Sequence, residues 1–260
     1  MSARIDYVAG WRGVPGWLDP IEGACLEAAV QSTSGTIVEL GTWAGRSLCC
    51  LAAARDLAKQ DRPLVSFDSY PEHGQAQEAA EGGMDLTPAE AKELSTELLL
   101  KFKVTNWYRF HCDAIDGAEE YREDAEEPFL GTFKIGLLFI DDHHAGERLL
   151  AELAAWEPLM ADECEVLIHD FFHEPYGLEV AVDRWMLDHP EWIMVETRLS
   201  MARIRRRWKA EPRAQAVATR VNKQMGGMCL SGSSTKPTIS VLYNTWRIGG
   251  LDCLKLGLER

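Results

Sequence analysis

Thr36-Ile37-Val38-Glu39-Leu40-Gly41-Thr42-Trp43-Ala44-Gly45-Arg46-Ser47 decides the fold of this chain. The residues from Thr36 to Leu40 are β-branched and aliphatic apart from one acid, and favour a strand. Gly41 and Gly45 bracket a turn, and RSLCCLAAARDLAK from Arg46 to Lys59 continues as an alanine-rich helix. Strand, glycine turn and helix in that order make half of a doubly wound α/β unit. Glycines at such a turn accept positive φ and let a ligand approach the backbone. The unpaired N–H groups at the helix start then face the crevice beyond the strand. The spacing E-x-G-x-x-x-G is not the dinucleotide fingerprint G-x-G-x-x-G. An acid at Glu39 would also repel a pyrophosphate and attract an amine or hydroxyls. The alternative for the same residues is a structural turn behind a core-facing strand.

Working outward, residues 1–18 carry Tyr7, Trp11 and Trp17 among glycines, an aromatic arm expected to pack over the domain. Asp19-Pro20 then opens a helix, with Asp as N-cap and Pro at the first helical position. Downstream, Pro63–Phe67 is a second strand ending in Asp68, followed by a polar excursion from Ser69 to Leu86. Thr87-Pro88, with Glu90 in the capping-box position, starts an amphipathic helix. So long an excursion between strands gives 69–104 the character of a lid-like insertion.

Trp107–His111 is a third strand, followed by Asp113 and Ala114, and an acidic segment with Tyr121 is helical up to Pro128. Lys134–Ile140 is the most hydrophobic strand and ends in Asp141-Asp142-His143-His144. Apolar residues at 149, 150, 153, 156 and 159 give Glu147–Leu159 a helical period. Cys164–Ile168 is a fifth strand ending in His169-Asp170, and Leu178–Leu187 is a further helix. Trp192–Thr197 and Met201–Arg205, joined tightly at Arg198–Ser200, form an antiparallel pair. The expected fold is therefore α/β: a Rossmann-like, doubly wound, mostly parallel seven-stranded sheet with a closing antiparallel strand pair, over residues 1–206. Residues 207–260 read as a C-terminal extension with one apolar strand-like run, Thr238–Tyr243, which points to a homodimer.

The formal net charge of −14 disfavours nucleic acid and anionic membrane as partners. The seven cysteines contain no C-x-x-C pair and sit mostly in apolar patterns, as reduced core residues do. The first residues lack a hydrophobic signal core and no apolar run has the length of a membrane span, so a cytoplasmic protein is expected.

Five successive strands end in polar groups: Glu39, Asp68, Asp113, Asp141–His144 and His169-Asp170. Ligands of open parallel sheets bind just beyond these carboxyl ends. Each acid alone could start a turn or cap a helix. Together they form a ring suited to a ligand with hydroxyls, an exocyclic amine and a cationic end.

The strand order, E-x-G-x-x-x-G-x-S and the acids after strands two and three resemble the class I S-adenosylmethionine-dependent methyltransferases. VPGWL at 14–18, VELGTWAGRS at 38–47, FIDDHHAGERLLAELAAWEPLM at 139–160 and VLIHDFF at 166–172 resemble, more narrowly, the macrolide and aminocoumarin sugar O-methyltransferases. The resemblance implies that Glu39, Gly41, Thr42, Gly45 and Ser47 hold the methionine part of the cofactor. It implies that Asp68, with Ser69, accepts the ribose hydroxyls, and that Asp113 binds the adenine amine with the Ala114 backbone on the ring. Asp141 would lie near the sulfonium and, with Asp170, ligate Mg²⁺, which could grip vicinal hydroxyls of a small-molecule acceptor. These relatives carry an aspartate base two residues after the first strand-four acid, whereas this chain has His143. A histidine can do the same work, so His143 or His144 is a candidate general base, with or without the metal. His169 is expected to be structural. The competing readings are a metal-independent N- or O-methyltransferase, a related domain that binds without methylating, and a nucleotide-dependent oxidoreductase.

Overall fold

The computed structural model describes residues 10–70, 86–126, 134–207, 241–248 and 251–258. The chain divides into two compact units, Met1–Glu211 and Pro212–Arg260.

The first unit alternates α1 (Pro20–Ser32), β1 (Thr36–Leu40), α2 (Arg46–Leu57), β2 (Leu64–Phe67), α3 (Pro88–Lys101), β3 (Trp107–Phe110), α4 (Asp116–Glu126), β4 (Ile135–Ile140), α5 (Gly146–Trp156), β5 (Met160–Ile168) and α6 (Leu178–Asp188). It closes with β6 (Trp192–Arg198) and β7 (Met201–Arg206). Its seven strands lie in the order β3-β2-β1-β4-β5-β7-β6. β1 runs parallel to both β2 and β4, while β7 is antiparallel to β5 and β6. The order reverses between β1 and β4, so the switch point, where such sheets bind ligands, lies at the ends of these two strands.

Alternation along the strands builds two apolar layers. Val38, Leu40, Leu138, Ile140, Val166 and Ile168 pack one face against α4, α5 and α6, around Trp156 and Trp185. Ile37, Leu137, Phe139 and Leu167 pack the other against α1, α2 and the arm residues Trp11, Val14 and Leu18. The described part of the arm, from Gly10 on, packs on this face, and Arg46 ties it down by donating to the carbonyls of Val14 and Gly16 at 3.1 and 3.2 Å. Both helix starts carry full capping boxes, Asp19 with Glu22 and Thr87 with Glu90. Cys25, Cys49, Cys50 and Cys164 are buried free thiols, and burial pushes the Cys49 thiol up to about 12.

Two expectations change. β5 begins at Met160, four residues early, because the 3₁₀ turn Glu157–Leu159 around Pro158 ends the preceding helix sooner. Of the lid-like insertion, 71–85 lie outside the described residues. In the remainder, α3 buries Ala91 and Leu99, and Arg109 of β3 holds it by donating to Thr96 Oγ1 at 2.7 Å and the Lys92 carbonyl at 3.1 Å. In the second unit the apolar run is a hairpin rather than a single strand, β8 (Val241–Ile248) pairing antiparallel with β9 (Leu251–Leu258). The unread signal was Gly249-Gly250 between two strand-length segments. Among the described residues no helix is long and apolar enough to cross a membrane.

Candidate active site at the carboxyl edge of the sheet

The turn after β1 is held by Asp68, at the end of β2. Its Oδ2 accepts from the Thr42 and Trp43 N–H groups at 2.8 and 2.7 Å, and its Oδ1 accepts from the Tyr70 N–H at 2.7 Å. Burial raises its pKa, and the three N–H bonds oppose that shift. These bonds fill three of about four acceptor positions. Where two ribose hydroxyls were expected, Asp68 thus has room for one, and Ser69 beside it is exposed.

Gly41 and Gly45 both have positive φ, +82° and +87°, but neighbouring protein rather than a ligand fills the space they leave. A Cβ on Gly41 would lie 2.1 Å from the Asp141 carbonyl oxygen, and one on Gly45 2.8 Å from Ser95 Cβ. These glycines bring β1, β4 and α3 together. α2 starts at Arg46 with Gly45 as its N-cap and no side-chain cap, so no side chain of the cap satisfies its first N–H groups.

Glu39 lies in β1 with no exposed surface, and neither carboxylate oxygen has a hydrogen-bond partner among the described residues. Burial, with the charges of Asp141 and Asp68, pushes its pKa up to about 8, although the nearby Ser47 and Thr42 hydroxyls pull the other way. A buried, unsatisfied carboxylate is costly and fits a cationic donor such as a ligand ammonium.

At the next strand ends, Asp113 meets Arg148 from the first turn of α5. Arg148 Nη2 is 2.7 Å from both Asp113 oxygens and 3.5 Å from Asp142, and its Nε is 2.8 Å from Glu152 Oε1. Burial pushes the Asp113 carboxyl up, but the Arg148 and Ile115 hydrogen bonds outweigh it and hold the pKa below its usual value. The Ala114 carbonyl accepts from the Trp156 indole N–H at 2.8 Å.

The ends of β4 and β5 bring Asp141, His144 and Asp170 together. His144 Nε2 is 3.5 Å from Asp141 Oδ1 and 3.4 Å from Asp170 Oδ2, and its ring stacks on Tyr176 at 4.8 Å between centroids. Behind them His169 lies buried, with Nδ1 3.0 Å from Asp141 and Nε2 3.1 Å from Glu22 of α1. Burial opposes a charge on His169, but Asp141, Asp170 and Glu22 outweigh it and hold its pKa well above the usual value. Glu22 also accepts from the Ser200 N–H at 2.9 Å and hydroxyl at 2.6 Å. Asp170 adopts φ +51°, a strained conformation that aims its carboxylate into the group.

One ligand atom each from Asp141, His144 and Asp170 lies within 4.8 Å of the others. That separation and the oxygen-rich set fit a divalent cation. The structure thus gathers Glu39, Thr42, Ser47, Asp68, Asp141, His144 and Asp170 around the switch point, with Asp113 and Ala114 on its β3 side. His143 is not gathered: it is exposed, and its neighbour His144 takes the place beside the carboxylates. Glu22 and Arg148 went unread as site residues. Glu22 had a capping signal at N3 after Asp19, but nothing in the sequence pairs it with His169, and Arg148, although inside the 139–160 stretch, was given no role by it.

A family model described as a methyltransferase domain matches residues 38–171. No curated protein matches the chain. Among solved structures, apo CalS11, a TDP-rhamnose 3'-O-methyltransferase of calicheamicin biosynthesis, is 21% identical, with 80% of this chain and 94% of that chain covered and a TM-score of 0.51. The O-methyltransferase NovP is 14% identical, with 72% and 79% covered and a TM-score of 0.53. PaMTH1 from Podospora anserina, bound to S-adenosylhomocysteine, is 14% identical, with 80% and 88% covered and a TM-score of 0.53. At such identities the likeness shows a shared fold. The family match takes in more than half of the chain, from β1 to the loop beyond Asp170, and the chain belongs to the methyltransferase-domain family.

Proposed function

We propose that this methyltransferase takes its methyl group from S-adenosylmethionine and passes it to a hydroxyl of a small-molecule acceptor, assisted by a divalent cation such as Mg²⁺. The observation that carries the reading is the pairing, at one switch point, of an orphaned buried carboxylate, Glu39, with the three-ligand group Asp141, His144 and Asp170. The cofactor supplies an already electrophilic methyl group, and the cation supplies Lewis acidity that makes a bound hydroxyl easier to deprotonate.

The chain's own residues must then align the acceptor and dispose of its proton. Glu39 satisfies its oxygens on the ammonium of the cofactor's methionine part. Asp68 holds the β1 turn rigid and offers its remaining acceptor position to the ribose. Asp141, His144 and Asp170 grip the cation, and Asp141 assists removal of the proton. His169, locked between Glu22 and Asp141, fixes the direction in which Asp141 points. The O-methyltransferase neighbours favour oxygen as the accepting atom.

A second reading draws on His169, whose Nδ1 lies 3.0 Å from Asp141 and whose pKa that carboxylate helps to hold above its usual value. In that case no cation is needed, and His144 removes the proton at Nε2, with Asp141 and Asp170 stabilising the imidazolium that forms. The deciding experiment measures methyl transfer from S-adenosylmethionine to a panel of sugar and catechol hydroxyls, with EDTA and after Mg²⁺ is restored. The proposal expects EDTA to abolish turnover, Mg²⁺ to restore it, and Asp170→Asn to lose this response while binding S-adenosylhomocysteine as before. Turnover indifferent to EDTA but lost in His144→Ala would replace it with the second reading.

A further inference from the structure

Asp141, His144 and Asp170 are not the all-oxygen set that suits Mg²⁺ best. One donor of the three is an imidazole nitrogen, and its direction is held. The His144 ring lies nearly flat on Tyr176, 4.8 Å between centroids and 17° between planes, with Nε2 facing both carboxylates. Tyr176 itself is set in the 3₁₀ turn Glu174–Tyr176, its N–H donating to the His173 carbonyl at 2.9 Å.

Nε2 stands 3.5 Å from Asp141 Oδ1 and 3.4 Å from Asp170 Oδ2. Both gaps are longer than a well-formed N–H···O bond of about 2.7–3.2 Å. Donors held about 2.1 Å from one small cation lie roughly 3.0 Å apart in an octahedron and about 3.4 Å apart in a tetrahedron. The gaps are therefore those of neighbours in a single coordination shell. The side chains of His144, Asp141 and Asp170 remain 21%, 25% and 31% exposed, which leaves the other positions of such a shell open to water or an acceptor oxygen. From the buried side His169 Nδ1, 3.0 Å away, orients Asp141 as an outer partner orients a metal ligand.

Donor chemistry decides which cation a group of this kind prefers. Carboxylates serve Mg²⁺, Ca²⁺ and Mn²⁺ alike, whereas an imidazole nitrogen favours the later first-row ions. We infer that His144 is the ligand that shifts this site away from Mg²⁺ and towards a first-row transition cation of the Fe²⁺ to Zn²⁺ range. Mg²⁺ in excess still fills the site; the nitrogen changes the preference, not the ability to bind. The inference rests on the divalent-cation reading of the proposed function.

The test strips the full chain with EDTA, removes the chelator, and titrates it calorimetrically with Co²⁺ and, separately, with Mg²⁺. The same titrations are run on His144→Asp, which turns the donor set into three carboxylates. Most sites bind Co²⁺ more tightly than Mg²⁺, so the informative quantity is the ratio of the two affinities. His144→Asp is expected to lower the Co²⁺-to-Mg²⁺ ratio by about tenfold or more, at least the worth of an outer partner of a metal. A histidine with only a structural role would weaken both ions together, and an unchanged ratio would overturn the inference. Pulsed electron paramagnetic resonance of the Mn²⁺-loaded chain gives a readout that does not depend on affinity. The unmodified chain should show coupling of the metal to a ligand nitrogen, and His144→Asp should lose it. No coupling in the unmodified chain, a result that needs no variant, or coupling that survives the substitution, would remove His144 from the shell. If the unmodified chain bound neither Co²⁺ nor Mg²⁺, the divalent-cation reading would fall as well; binding of both ions with an unchanged ratio overturns the His144 role alone.

Discussion

Glu39 occupies a strand position with no exposed surface, and neither of its oxygens has a well-formed hydrogen bond among the described residues. Burial, then the Asp141 and Asp68 charges, raises its pKa from 4.5 to about 8. The folded chain thus holds this proton more tightly than the unfolded chain, so stability is lost as pH rises between those two values. Glu39→Gln removes that loss. The variant is expected to melt at a higher temperature than the unmodified chain at about pH 9 and at nearly the same temperature at about pH 4. It should also bind S-adenosylhomocysteine about tenfold or more weakly, through loss of one charge-assisted contact. A melting shift that did not vary with pH would mean the carboxylate is satisfied in the folded chain. Glu22 behaves in the opposite sense. Burial pushes its carboxyl up, but His169, Ser200 and the Asp19 N–H overcome that and bring it down to about 2. Its contribution is present above 4.5 and lost as pH falls towards 2. Urea midpoints measured across that interval should fall, and Glu22→Gln should flatten the fall.

The elements of the first unit were legible because their signals are local. Asp19-Pro20 and Thr87-Pro88 cap their helices as read, and each of the seven strands covers the run that announced it, β5 alone reaching four residues further back. What could not be read depends on distant neighbours. Gly41 suggested room for a ligand, but the group it accommodates is the backbone of Asp141, a hundred residues on. Gly41→Ala is therefore expected to cost on the order of 3 kcal/mol in denaturation, from the left-handed backbone plus the clash. A cost under about 1 kcal/mol would show that β4 yields. Arg148 and Asp113 are 35 positions apart, and Glu22 and Ser200 are 178 apart. No period or motif links such pairs before the strand order is known. Likewise, the turn after β4, not the residue type, decides that His144 rather than His143 joins the carboxylates.

At the scale of the molecule, acids at the ends of the strands converge because β1 and β4 are neighbours at the point where the strand order reverses. The second unit forms its own two-stranded sheet, β8 with β9. A lone hairpin is marginal in water and needs another surface to be stable. If that surface is a second copy, sedimentation should give a dimer for the full chain and a monomer for a chain ending at Glu211. Equal association states would remove the hairpin from that role. In the proposed function the switch point of the first unit would hold S-adenosylmethionine, with Glu39 as the anchor. Calorimetric titration of the full chain with S-adenosylhomocysteine tests it most directly. The account predicts saturable binding of one molecule per chain, weakened in Glu39→Gln. A folded chain that gave no saturable heat, or a Glu39→Gln variant that bound as tightly as the unmodified chain, would contradict it.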